Sequence, residues 1–363
     1  MSKQLIRALL RLATAPPGKK VAADTTKPFE NASQQDWSAA LTTLELHRVE
    51  SLAWHGLHTQ GLTKAVPEDV KNRLQLAHRN ALLKNGAHLH AVGEALRALG
   101  GAGITPVLWK GVVLAGCFYP KISMRSMDDI DMTIAEAERE AAGAAFKSIG
   151  YEVAMTQTEA VYYRNAAGIV FDVHHRVQLF EGHDRDSITT TARSPYLPDT
   201  ELRILSPEAL IAHLTVHANG HRGTMGYVLR WIVDLHFVLN QVSDRIAIDR
   251  LRTLIPSPKM FVLFLRFLGF LETELGVATP ESLRKLSDGV SPLSLEETLR
   301  SRRLAMWGLP GPRGLARLAL GRNVTPAGER RPRPHASDLV LWPWDGVREA
   351  LANASGRRRL NLP

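Results

Sequence analysis

At 363 residues the chain is long enough for two modest domains, or for one domain with helical extensions, and its 45% hydrophobic content suits a packed protein. The single cysteine, Cys117, excludes an intramolecular disulfide and a cysteine-built zinc centre, and fits a reducing, cytoplasmic setting. The net charge of +9 is unevenly placed: residues 300–363 hold 13 Arg and no Lys against four acids, so the rest of the chain balances.

Residues 1–15 set Lys3, Arg7 and Arg11 among Leu and Ala, without an uninterrupted apolar core or a cleavage site, and predict an amphipathic helix and not an export signal. Apolar positions at helical spacing over 36–60 and 67–99 predict helices, the second with Pro67 in its first turn and Gly100-Gly101 at its stop. The pattern then changes. A strand is predicted over 104–109, a helix over 111–118, a loop over 119–128 and a strand over 129–134. A helix over 136–148 closes at Gly150. Strands near 151–155, 160–164 and 169–175 form an antiparallel set turning at Gln157 and at 165–168. Strands followed by helices, with an antiparallel continuation, indicate an α+β fold whose sheet is open on one face.

Ser206-Pro207 opens a run of helices near 207–219, 226–241, 245–254 and 259–274, with Ser206 as N-cap and Pro207 at the first position. The most apolar window, 260–271, is too short to span a membrane and is interrupted by Arg266; it predicts a buried helix. The Arg- and Pro-rich end, with Arg330-Arg-Pro-Arg-Pro-His335, resists regular structure and is expected to be partly disordered. It is either a solvated tail or an electrostatic arm for a polyanion.

The chemistry concentrates at Asp129-Ile130-Asp131. On a strand the two carboxylates emerge on one face and repel, and paired oxygen ligands suit Mg²⁺. Upstream, Lys110-Gly111 ends an apolar strand at the start of a helix, where backbone N–H groups and the lysine can approach phosphate oxygens. Downstream, Asp172 and His174 share one face of the next apolar strand, and a third carboxylate beside the first two would complete a two-metal cage. Arg125, four residues before Asp129, has the planar fork that suits a triphosphate. His213, His217 and His221 are spaced four apart, which raises a rival reading as a zinc hydrolase built on His213, His217 and an acid.

Taken together, Lys110-Gly111-x-x-Leu114, Tyr119-Pro120, Arg125-x-x-x-Asp129-Ile-Asp131 and Phe171-Asp172-Val-His174 resemble the uncharacterised nucleotidyltransferase family of the DNA polymerase β-like superfamily. A looser likeness runs through Trp231-Ile-Val-Asp234 to about residue 275. Where that family often carries Ser, this chain has Asp128, a further negative charge beside the site.

The resemblance implies a polymerase β-like mixed sheet with helical regions on both sides. The divisions expected are an N-terminal helical region over 1–100, a catalytic core over 101–205, a C-terminal helical region over 206–299 and the basic tail over 300–363. It implies transfer of a nucleoside monophosphate, AMP from ATP above all, to a hydroxyl or phosphate of an acceptor. Asp129, Asp131 and Asp172 would hold two Mg²⁺ ions, with Mn²⁺ as a substitute. Lys110, Gly111, Arg125 and His174 would meet the nucleoside triphosphate. The acceptor is a peptide, a small molecule or RNA. The alternative is a non-catalytic nucleotide-binding scaffold that engages a partner protein or peptide.

Overall fold

The structure, a computed structural model, describes residues 2–16, 18, 20–220, 226–242 and 245–306. His221 and the Arg- and Pro-rich residues 307–363 lie outside the described residues. The chain divides into two compact units, residues 1–217 with 229–295, and residues 218–228 with 296–363.

The first unit opens with α1 (Ser2–Thr14), which buries Leu5, Ile6, Leu9, Leu10 and Leu12, followed by α2 (Ala23–Glu30), α3 (Gln34–Leu46) and α4 (Glu50–Thr59). Ser33 caps α3: its hydroxyl accepts the Asp36 N–H at 3.1 Å while the Asp36 carboxylate accepts the Ser33 N–H at 3.2 Å. The helical pattern over 36–60 is therefore two helices, broken at residues 47–49, where Arg48 takes a left-handed φ of 59°. The next helix, α5 (Glu68–Gly101), spans 34 residues with Glu68 and Asp69 in its first turn, where acids complement the helix dipole.

The sheet elements follow: β1 (Val107–Trp109), α6 (Lys110–Val113) running on into a π-turn at Leu114–Phe118, β2 (Ile130–Thr133), α7 (Arg139–Ser148), β3 (Tyr151–Thr156), β4 (Ala160–Asn165), β5 (Val170–His174), β6 (Thr189–Ser194) and β7 (Leu197–Leu205). Among the described residues they form one seven-stranded sheet of order β3-β4-β5-β2-β1-β7-β6. The antiparallel set β3-β4-β5 matches the sequence pattern. Strand β2 joins β5 in parallel and β1 in antiparallel fashion, and β7 runs parallel to β1, which makes the sheet mixed.

The β6–β7 hairpin has no counterpart in the sequence reading. Its strands are rich in Thr and charge, and of β7 only Leu202, Ile204 and Leu205 are buried, so the apolar alternation that announces a strand is confined to one end. Phe146 of α7 covers one face of the sheet, stacked on Tyr163 at 4.5 Å and leaning on Phe171 at 5.0 Å. The polar residues of β2 and β5 therefore emerge on the opposite face.

Helices α8 (Pro207–Gly220), α9 (Leu229–Val242), α10 (Ile248–Leu254), α11 (Pro258–Thr273), α12 (Glu281–Ser287) and α13 (Leu295–Met306) complete the described chain. Ser206 caps α8 as expected, its hydroxyl accepting the Ala209 N–H at 3.4 Å. The apolar window falls in α11, where Phe264, Phe267, Leu268, Phe270 and Leu271 are fully buried. Among the described residues no helix is long and apolar enough to cross a membrane. Within the second unit the Tyr227 N–H donates to Ser301 Oγ at 2.9 Å, and that hydroxyl donates to the Thr298 carbonyl at 2.9 Å.

Candidate active site

Strand register builds the site. Asp131 stands opposite Trp109 on β1 and opposite Asp172 on β5, and Asp172 stands opposite Tyr162 on β4. Directly opposed residues share a face, so Tyr162, Asp172, Asp131 and Trp109 form one row across four strands. His174, two residues beyond Asp172, joins the same face opposite Thr133.

The ligand atoms of Asp131, Asp172 and His174 all lie within 4.8 Å of one another. His174 Nε2 is 3.1 Å from Asp172 Oδ2. Lys110 Nζ donates to Asp131 Oδ1 at 2.5 Å and rests 4.7 Å over the Trp109 ring. Asp131 and Asp172 are buried, and Asp172 Oδ1 has no hydrogen-bond partner among the described residues. Asp129 sits just before β2, half-buried beside this group.

Burial and mutual repulsion strain these charges. Burial first, then the charges of Asp131 and Asp172, push the Asp129 carboxyl up to about 7, with Lys110 working in the other direction. Burial also raises Asp131, opposed by Lys110. For Lys110 burial works against the charge, yet the carboxylates of Asp131, Asp172 and Asp129 outweigh it and raise its pKa. Two buried carboxylates, one with an unpartnered oxygen, and an imidazole together form a donor set that fits a hard divalent cation.

The other expected residues are placed as follows. Lys110 itself, and not Gly111, adopts the left-handed conformation at the strand-to-helix turn, with φ of 50°. Gly111 is closely packed: a Cβ there would lie 3.2 Å from Arg125 Nη1 and 3.3 Å from Met127 Cγ. The Arg125 fork, expected on a triphosphate, is turned inward. Its Nε and Nη2 donate to Asp234 of α9 at 2.7 and 3.0 Å, and the Tyr119 hydroxyl donates to the same carboxylate at 2.7 Å. Asp128 pairs with Arg48 and, at 3.4 Å, with Lys84.

The histidines of α8 line the site without joining the donor set. His213 packs edge-on against Trp109 at 4.5 Å, and burial first, then the charges of Lys110 and His174, hold its pKa well below the usual value. Among the described residues the group with ligand atoms close enough for a metal is Asp131, Asp172 and His174, and it includes neither His213 nor His217.

Two participants escaped the sequence reading, and a third, Asp234, entered it only within the looser likeness and without its partner. Tyr162 was recoverable: the turn at 165–168 sets the β4–β5 register and so puts Tyr162 opposite Asp172. Trp109 was legible only as a strand residue. Asp234 lies 109 positions from Arg125, and no local signal links them.

A mixed sheet that gathers carboxylates from two adjacent strands around a lysine at a strand-to-helix turn is an arrangement suited to phosphoryl chemistry. The chain belongs to the uncharacterised nucleotidyltransferase family, whose model matches residues 33–272. It is thereby an enzyme of the nucleotidyl-transfer class.

Similar solved structures include the antibiotic-resistance factor ANT(2'')-Ia in solution, at 13% identity over 47% of this chain and 89% of that one, with a TM-score of 0.37. ANT(2'')-Ia in complex with adenylyl-2''-tobramycin matches at 14% identity over 50% and 98%, TM-score 0.36. An antigenic nucleotidyltransferase-like protein from Paracoccidioides brasiliensis matches at 15% identity over 53% and 94%, TM-score 0.35. No curated protein matches the chain.

Proposed function

We propose that this enzyme transfers a nucleoside monophosphate, in the first place AMP from ATP, to a hydroxyl or phosphate of an acceptor and releases pyrophosphate. The observation that supports this is the close set of Asp131, Asp172 and His174, with one carboxylate oxygen unpartnered and Lys110 against Asp131. In the reaction the acceptor oxygen attacks the α-phosphorus, the bond to the β-phosphate breaks, and the acceptor proton passes to Asp172 or to solvent. Two Mg²⁺ ions, or Mn²⁺, would neutralise the phosphates and stabilise the developing charge when bound.

Each residue then has a distinct task. Asp129, Asp131 and Asp172 would hold the metal, with His174 either as a further donor or as the group that orients Asp172. Lys110 keeps a positive charge beside Asp131, where it would offset charge that develops on the phosphates at the metal. Trp109 and His213, packed together and buried, would wall the site against competing water. The acceptor class stays open among peptide, small molecule and RNA.

Two measurements test the reading. Titration of each nucleoside triphosphate with Mg²⁺ should show binding to the wild type that the Asp129→Asn/Asp131→Asn variant loses. Pyrophosphate release should fall in Asp131→Asn by roughly 10²-fold or more, as expected when a charge-stabilising group is removed. Near-normal turnover by Asp131→Asn would overturn the assignment.

A further inference from the structure

A second charged cluster gathers on Asp128, the residue before Asp129. Asp128 is exposed, and its carboxylate is held by Arg48 from the α3–α4 corner and by Lys84 of α5, the latter at 3.4 Å. Arg230 of α9 donates from Nη1 to the Ser126 carbonyl at 2.9 Å and to Ser126 Oγ at 3.3 Å. Its Nε is buried and has no hydrogen-bond partner among the described residues. Arg230 is close enough to Arg48 and Asp128 for their charges to act on it. Two cations from separate elements thus hold the side chain of the residue next to Asp129, and a third, Arg230, is anchored two residues before it on Ser126.

Their placement is built in. His47 Nδ1 accepts the Leu229 N–H at 3.2 Å, which ties the α3–α4 corner to the start of α9 and brings Arg48 near Arg230. Asn85, next to Lys84, donates to the carbonyls of Ile122 and Arg125 at 2.5 and 2.7 Å and pins the loop itself. Arg48 is held at a left-handed φ of 59°, a conformation that costs a non-glycine residue energy and that clusters at functional sites. Arg125 adds no free charge, because Asp234 pairs it. Glu50 lies in the same neighbourhood, its Oε2 also without a partner among the described residues, and burial raises its pKa.

We propose that Arg48, Lys84 and Arg230 form an anion subsite for the terminal phosphates of the nucleotide and the pyrophosphate product, and that Asp128 is a tethered carboxylate occupying it until phosphate displaces it. The subsite rests on the nucleotidyl-transfer reading for its natural ligand. A consequence follows that runs against the usual expectation for an acid beside a metal site: removing the Asp128 charge should strengthen phosphate binding. Competition between a tethered anion and a mobile one also makes product release easier, because Asp128 reclaims the cations as pyrophosphate leaves.

Inorganic pyrophosphate, titrated calorimetrically into the full-length protein at fixed Mg²⁺, is the probe. Asp128→Asn should bind it about tenfold tighter, and Arg48→Gln, Lys84→Gln or Arg230→Gln about tenfold more weakly, since hydrogen bonds to charged groups are worth at least that factor. Asp128 and Lys84 are exposed, so those two variants are expected to fold, and their melting curves check this. Inorganic phosphate and nucleoside monophosphate should respond less than pyrophosphate to the same substitutions; an equal response would assign the cations to a phosphate on the acceptor and overturn the proposal. Unchanged or weaker pyrophosphate binding in Asp128→Asn would overturn it too. The titration needs no turnover, so the two readings fail separately. An enzyme that turns over nucleotide with affinity indifferent to these cations loses the subsite. A protein with the expected order of affinities but no turnover keeps it and loses the transfer reading.

Discussion

Replacing Asp234 by Ala should be among the most damaging single changes in this chain. The Arg125–Asp234 pair is almost wholly buried, with side-chain exposures of 6% and 0%, and the carboxylate takes two hydrogen bonds from the guanidinium and one from Tyr119. Removing one member of a buried pair leaves the other charge uncompensated, at a cost of about 3–5 kcal/mol. The orphaned Tyr119 hydroxyl adds about 1 kcal/mol. In urea denaturation a loss of about 4 kcal/mol moves the midpoint down by roughly 1.5 M, for a slope near 2.5 kcal/mol per molar.

Tyr119→Phe should cost only about 1 kcal/mol. Arg125→Met/Asp234→Leu should be more stable than Asp234→Ala alone, because no charge remains stranded. Turnover should fall alongside, since Arg125 begins the loop that carries Asp129. A midpoint shift below about 0.3 M for Asp234→Ala, or a double variant no better than the single, would refute the reasoning.

Two further outcomes follow from packing and burial. A Cβ on Gly56 would sit 2.7 Å from the Ala13 nitrogen and 2.9 Å from its Cα, so Gly56→Ala should force α1 off α4 and cost about 1–3 kcal/mol by chemical denaturation; an unchanged midpoint would show that the helices can slide apart freely. His88 and His236 are buried, and burial before any other cause lowers each pKa to about 4. The folded protein resists protonation that the unfolded chain accepts, so stability present above pH 6.5 should be lost as pH falls toward 4, by about 3 kcal/mol per histidine. His236→Asn should flatten that slope by about one proton, and an unchanged slope would remove His236 from the account.

The candidate site face was legible because its information is local. Period-two alternation put Asp172 and His174 on one side of a strand, and apolar neighbours marked β2 and β5 as interior. Most of the α-helical stretches were legible from their caps and spacing; α2, α12 and α13 were not, and Arg48 interrupts one predicted helix with a left-handed residue. The β6–β7 hairpin was not legible, because half of its surface faces solvent and its strands carry little apolar alternation.

By itself, then, the sequence determined which residues could share a face, where helices begin, and that several carboxylates would compete for one region of the sheet. Tertiary structure alone decided which carboxylates meet. The parallel pairing of β2 with β5 sets Asp131 beside Asp172, 41 positions later, and the packing of α9 draws Arg125 onto Asp234. The physical reason is one of range. Dihedral preference and hydrophobic period act over a few residues, whereas charge neutralisation in a dry interior is satisfied by whichever partner the packed chain brings within about 3 Å.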